Sequence, residues 1–559
     1  MKDPQQALRA LHFGRVDAET DYRLATCFIG TEMLRQALLP QHGLFVGAKG
    51  AGKSALFKLL CNNLVAWKPL VPKGFDTIYR VPATGLQSER YLSGVELAEL
   101  SPKTVNDFRD FWLLYVGLKT ATTLVEDERM QELVEASSNA RVKENFATLL
   151  RIVRTLGLVD VSDIVSRFRQ KIGELMDPGP EPRRESVEDV GMALSVNFRN
   201  RTGIAIIRLL DIIDALLQDT QCAAWILLDK LDLLYFDNFE RLRTAVTGLV
   251  QLLIEYSDRF RNIQFKVFLR RDIYQQLRIV NKSHLVSYTN DMRWRGSWLM
   301  KLLVARAVSE PVVCSYCETT LGEAVDVAHV INGSDEYVLR VFYTIFESNM
   351  RGNGTTRRNT HRWILRRLVD GLGMSFPREI IHLGNLASAR QRELHREGVR
   401  HRNGALVSAR AIREAFEEVS LYRCETYLNA EFPHLARHID VFRGNDASTY
   451  TRAELHRLFE GLGPSGNQAI RMLTDVGLLG PVGGNVDAAE RFTIPLLYRS
   501  GLGISRRKSA SPRKGSQRKR SKKPSQPVTT LVPELPFDAG SEAAPPDEEA
   551  NIPANHLAG

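Results

Sequence analysis

At 559 residues, 44% apolar and 25% charged, the chain has the composition of a soluble globular protein and the length for about three or four domains. Its best membrane candidate, Ala223 to Phe236, is interrupted by Asp229, Lys230 and Asp232, so no membrane partner is expected. The first fifteen residues are too charged for a signal peptide, and six scattered cysteines make no disulfide framework, which together predict a cytoplasmic protein.

In chain order, residues 1–42 predict a helical segment, with Leu24, Phe28, Ile29, Met33, Leu34 and Leu38 at helical spacing. The apolar run Leu44 to Val46 then predicts a buried strand leading into Gly47-Ala48-Lys49-Gly50-Ala51-Gly52-Lys53-Ser54-Ala55. This segment satisfies G-x-x-x-x-G-K-[ST], the Walker A phosphate loop. Gly47, Gly50 and Gly52 let backbone N–H groups turn inward toward phosphate oxygens. Lys53 adds a point charge at a helix N-terminus, and the Ser54 hydroxyl is a ligand for Mg²⁺. A nucleoside triphosphate is therefore expected, and the absence of a guanine-reading N-K-x-D favours ATP.

Asp76 to Leu86 predicts a second strand and Asp107 to Leu124 an apolar helix. Residues 126–201 predict a helical insertion with an exposed loop at Asp177 to Pro182 and a small core of its own at Phe146, Leu149, Leu150 and Ile152. Ile204 to Leu217 predicts a helix, and Ala223 to Leu228 a buried strand ending in Asp229. The LLDKLD pattern there is that of a Walker B element, whose acid holds Mg²⁺ near the phosphate loop. After a helix over Arg241 to Asp258, the strand Phe265 to Leu269 ends in Arg270-Arg271-Asp272, read either as a γ-phosphate sensor or as a surface pair.

Helices alone follow, over Ser297 to Val308, Glu336 to Ser348, His361 to Leu372 and Pro377 to Arg392. Arg378, at a helix start, either reaches the phosphates or pairs with Glu379 or solvent. From Thr451, two helices and a strand pair predict a winged helix, with Asn467, Gln468 and Arg471 on its second helix facing either DNA or protein. The net charge of +10 is uneven, because Arg506 to Lys523 holds ten basic residues and no acid, and six acids follow without a base. That tail is disordered by composition and is read as either a nucleic-acid grip or a tether. Cys314 and Cys317 have zinc-knuckle spacing but no second pair.

Together these elements predict an α/β fold, a P-loop NTPase parallel sheet with helices on both faces, followed by an all-α lid, a winged-helix-like C-terminal domain and a disordered tail. The expected boundaries are 1–42, 43–125 with 202–290 for the ATPase core, 126–201 for the insertion, 291–440 for the lid, 441–505 for the winged helix and 506–559 for the tail.

The residues FGRVDAE, GAKGAGKSAL, LLDKLD, FLRRDIY, SWLMKLLVARA, HRWILRRLVDGLG, FPREIIHLGNLASA and FTIPLLYRSGLGI span about residues 10–505. In that order they resemble a bacterial family of P-loop ATPases related to the AAA+ and STAND groups, neighbours of the KAP and origin-recognition ATPases. The resemblance implies an ATP-driven switch, with some relatives linked to antiphage defence. It assigns Lys53 and Ser54 to phosphate and Mg²⁺, Asp229 to the Walker B acid and Arg378 to the second sensor. Many AAA+ members carry a catalytic glutamate directly after that acid; here Lys230 stands there, leaving Asp232 as the available base and predicting slow hydrolysis. A protein partner, DNA contact through winged helix and tail, and a nucleotide-dependent homo-oligomer are the expected interactions, with Arg270, Arg271 and Arg306 as arginine-finger candidates. A DNA-binding ATPase and a non-hydrolysing ATP scaffold are the alternatives.

Overall fold

In the β1 strand Gly43–Gly47, Leu44 and Val46 join one buried apolar cluster while Phe45 joins another. The β3 strand (Ala223–Leu228) divides in the same way, Ile226 and Leu228 to the first and Trp225 and Leu227 to the second. This period of two, in strands buried along nearly their whole length, is what a sheet covered on both faces requires. The computed structural model describes residues 3–30, 32–61, 74–84, 103–158, 197–233, 238–256, 258–279, 282–351, 357–399, 404–464 and 466–504. The loop predicted at Asp177 to Pro182 and the basic tail lie outside them.

Five parallel strands run in the order β2-β3-β4-β1-β5, with β2 at Ile78–Thr84, β4 at Ile263–Arg270 and β5 at Thr289–Asp291. Helix α1 (Lys53–Cys61) leaves the loop after β1 and packs on the second face with the short helix Glu32–Leu38. The first face is covered by α2 (Val105–Glu126), α3 (Ile206–Asp219) and α4 (Phe239–Tyr256). Helix α2 starts at a capping box in which the Thr104 hydroxyl accepts from Asp107 N–H and the Asp107 carboxylate from Thr104 N–H. This is the P-loop α/β architecture expected from the sequence.

The predicted insertion core is corrected. Leu149 and Ile152, on the helix Ala140–Thr155, are buried in the apolar cluster of the sheet's first face, with Phe146 and Leu150 half-buried against it. The amphipathic stripe is real, and it packs against α2 and α3. The helical reading of residues 1–42 holds for Pro4–Ala10 and Glu32–Leu38 and is corrected between them, where residues 11–30 are turns, bends and irregular backbone. There the apolar side chains serve a cavity wall, and the chain is pinned by polar contacts. Arg306 Nη1 donates to Phe13 O at 2.9 Å, and Arg23 Nη1 to Arg306 O at 2.9 Å.

A third apolar cluster unites residues 7–13 with the helices after residue 295. Among these are α5 (Gly296–Val308), α6 (Pro377–Arg396) and α7 (Ala409–Arg423). Gly384 of α6 lies against Phe13, where a Cβ would come within 2.7 Å of the ring, so the close approach needs glycine. The helix expected to reach Leu372 stops at Arg367, and a short antiparallel pair, Asn349–Arg351 with Arg357–Asn359, precedes it. Helices Arg452–Leu458 and Gly466–Asp475 with the three-stranded antiparallel sheet of Thr449–Thr451, Arg491–Thr493 and Gly480–Pro481 form the winged-helix-like unit. Gly371 N donates to Gly477 O at 2.7 Å, joining that unit to the turn before α6. No helix among the described residues is long and apolar enough to cross a membrane.

Candidate nucleotide site

The loop between β1 and α1 holds Gly50 and Gly52 at φ +94°, a backbone region that L side chains rarely enter. Residues 48–52 thereby form a tight turn, with Ala51 N donating to Ala48 O at 3.1 Å, and Trp294 braces it by donating Nε1–H to Ala51 O at 2.9 Å. Lys53 is folded over the loop, its Nζ donating to Gly47 O and Ala48 O at 2.9 Å each. Burial pulls the Lys53 ammonium down to about 8, against the charges of Asp232 and Asp229, which favour its charged form.

Asp229, one residue past the end of β3, is buried, and its carboxylate accepts from the Ser54 hydroxyl. Burial pushes the Asp229 carboxyl up to about 6, opposed by that hydrogen bond and by Lys53. Its Oδ2 has no hydrogen-bond partner among the described residues. A buried carboxylate oxygen beside a hydroxyl and next to a glycine cradle is the donor set a hard divalent cation takes, so the residues present fit Mg²⁺ and a phosphate chain.

Lys230 follows in a left-handed conformation, φ +57°, with its ammonium ion-paired to Glu19. Asp232, in a short turn, accepts from Arg270 Nη1 at 3.1 Å. Arg270 ends β4, the strand between those of Walker A and Walker B, and is gripped by Asp272 at 3.1 and 2.8 Å and by Glu431 at 2.7 Å. Burial would weaken its charge, but these carboxylates outweigh burial and hold the guanidinium above its ordinary range. With its side chain only 11% exposed, Arg270 is a buried ion-pair hub and not a surface pair.

These groups line a cavity of about 340 Å³, within the size range of ligand pockets. Arg15 to Asp17 and Leu24, Phe28 and Met33 of the N-terminal stretch form an opposite wall, and Pro377, Arg378 and Ile381 of α6 close another side. Arg378 is half-buried there and makes no ion pair among the described residues, because Glu379 turns inward to Arg423 instead. Lys49 to Ser54, Ala55, Asp229, Asp232 and Arg378 are thus gathered at one cavity, while Gly47, the last residue of β1, and Ala48 are not among its lining residues and touch the site through their carbonyls, which accept from Lys53.

The three arginine-finger candidates are engaged within the chain. Arg306 is buried with Asp21, Arg271 is ion-paired to Asp291, and Arg270 is held as above. Asn467 accepts from Arg452 Nη1 at 3.1 Å, and Arg471 is ion-paired to Asp487, so the second winged-helix helix presents little free positive charge. Cys317 is buried and accepts from the Thr344 hydroxyl at 3.2 Å.

Two pairings had no signal in the sequence. Lys49, inside the motif but at one of its variable positions, is ion-paired to Glu431, which lies 382 residues away. The Asp21–Arg306 pair, which seats the N-terminal wall on α5, joins residues 285 apart.

No protein-family model matches the chain, and no curated protein does. Among solved structures it is similar to the crystal structure of Cdc6p from Pyrobaculum aerophilum at 11% sequence identity and a TM-score of 0.25, over 84% of this chain and 92% of that one. That overlap is too loose to place any site residue.

Proposed function

We propose that this protein is an ATP-binding, slowly ATP-hydrolysing switch that passes its nucleotide state to a protein partner, with the antiphage setting being what the family resemblance implies. The observation that carries the reading is the shared cavity. The phosphate loop, the Walker B acid and the N-terminus of α6 all line it, so a ligand there touches both the sheet and the helices that follow.

In this reading the loop amides and Lys53 hold the phosphates, Ser54 and Asp229 hold Mg²⁺, and Arg378 contacts the nucleotide from α6. Mg²⁺ supplies charge neutralisation at the terminal phosphates. Asp232 orients and deprotonates the attacking water, and its ion pair with Arg270 competes with that water for the carboxylate. Together with Lys230 in place of a glutamate, that supports slow turnover. The test is nucleotide binding and ATPase activity of the whole chain at several protein concentrations. Mg²⁺-dependent ATP binding, lost in Lys53→Ala, with turnover far below the ~10 s⁻¹ of a median enzyme, is expected. Rapid turnover without a partner contradicts the switch, and turnover no higher than in Lys53→Ala leaves a non-hydrolysing scaffold.

A DNA-binding ATPase is the second reading, favoured by one observation. Arg358, Arg362 and Arg366 are exposed and make no ion pair among the described residues, and the latter two share a helix face at i, i+4. Salt-dependent duplex binding that Arg362→Glu/Arg366→Glu abolishes would support it.

A further inference from the structure

Glu431 lies between the π-helical segment Cys424–Asn429, which continues α7, and the short helical turn Pro433–Leu435, in the region that leads to the winged helix. Its two carboxylate oxygens serve different cations. Oε1 accepts from Lys49 of the phosphate loop, and Oε2 from Arg270 Nη1 at 2.7 Å. Arg270 keeps Asp272 and Asp232 as further partners, whereas Glu431 is the acid paired with Lys49 among the described residues.

From Glu431 the contacts continue into the helices. The Arg270 guanidinium lies 5.8 Å from the Phe432 ring, Phe432 meets Tyr427 edge-on at 5.3 Å, and Arg423 sits over Tyr427 at 3.7 Å. Arg423 in turn donates to Glu379 at 2.7 Å, next to Arg378 on the cavity wall. The carboxylate at the phosphate loop is therefore the near end of a continuous packed path to the start of α6.

We propose that Glu431 makes the site discriminate a nucleoside triphosphate from a diphosphate by holding, with its own carboxylate, the two cations that a terminal phosphate requires. The proposal rests on the nucleotide-site reading above. Binding a triphosphate is then an exchange of anions at Lys49 and Arg270, because two anions sharing the same pair of cations repel. A diphosphate leaves Glu431 in place. The released Glu431 carries the change through Phe432 and Tyr427 to the helices, which is the coupling a switch needs.

The experiment is calorimetric titration of the full chain, wild type and Glu431→Gln, with Mg²⁺ and either a non-hydrolysable ATP analogue or ADP. Glu431→Gln is expected to tighten the ATP analogue by about tenfold, within the usual range of coupling between sites, and to leave ADP within about twofold. Glu431→Asp keeps the charge but is one methylene too short to span both cations, and it moves the analogue in the same direction by a smaller factor. This second variant decides the matter if Glu431→Gln does not fold.

Equal shifts for both nucleotides, or none, overturn the role of Glu431. If Lys53→Ala still abolishes binding in that case, the nucleotide site itself stands. If the wild type binds neither nucleotide, the nucleotide reading fails and takes this proposal with it.

Discussion

Glu379 accepts from Arg423 at 2.7 Å, and each side chain is only 4% exposed. The pair ties the first turn of α6 to the end of α7, directly behind the cavity wall carrying Arg378. Removing one member of a buried ion pair leaves the other charge uncompensated, at a cost of about 3–5 kcal/mol. Arg423→Met should destabilise the protein by that order in urea unfolding, and Glu379→Gln/Arg423→Met should recover much of the loss. A single substitution as mild as a surface change, within about 0.5 kcal/mol, contradicts this role.

Gly50 and Gly52 share a φ of +94° but differ in surroundings. A Cβ on Gly50 would lie 3.3 Å from the Arg378 Cβ and 3.6 Å from the Glu379 carboxylate, whereas one on Gly52 meets only Trp294 at 3.8 Å. Both alanine variants carry the left-handed backbone cost of roughly 1–2 kcal/mol. Gly50→Ala must additionally push α6 away from the loop. Unfolding measurements should therefore rank Gly50→Ala below Gly52→Ala in stability, while ATP binding weakens in both. Equal stabilities would show that α6 does not rest on the loop.

The phosphate loop was legible because its chemistry is local, with fixed glycine spacing followed by a lysine and a serine. That Asp229 and Arg378 lie at the same cavity was legible from the apolar run that Asp229 ends and the helix that Arg378 begins. The N-terminal stretch was read correctly as helix at its two ends and misread between them, because apolar spacing records which side chains are buried, not what covers them. In Leu24 and Phe28 the same spacing serves a cavity wall built from turns. Glu431 was invisible, since nothing near it in sequence shows that its partners lie on β4 and in the phosphate loop.

Asp232 and Asp229 should separate binding from chemistry. Asp232 faces the cavity in an ion pair with Arg270, while Asp229 lies deeper, bonded to Ser54. Asp232→Ala should keep ATP affinity within a few-fold and lower turnover by about 10²-fold or more, the scale of losing a general base. Asp229→Asn should instead remove the Mg²⁺ dependence of binding. Undiminished hydrolysis in Asp232→Ala eliminates it as the base.

Lys266 gives a pH signature independent of nucleotide. It is fully buried on β4, donates from Nζ to Leu39 O at 2.6 Å and Gln41 O at 2.7 Å, and lies 4.5 Å from the Trp225 ring centre. Burial pulls its ammonium down to about 7 from an ordinary 10.5, and a neutral amine still has two N–H groups for the two carbonyls. Between those values the unfolded chain binds the proton more tightly than the folded one, so this group makes stability rise as pH increases from about 7 toward 10.5. The slope approaches but cannot exceed about 1.4 kcal/mol per pH unit. Lys266→Met removes the titrating group and leaves both carbonyls without their donor, at about 1–3 kcal/mol each. Urea unfolding across this range should show the variant less stable than wild type, with the difference widening as pH rises. A difference that stays constant with pH would mean that Lys266 remains charged in the fold.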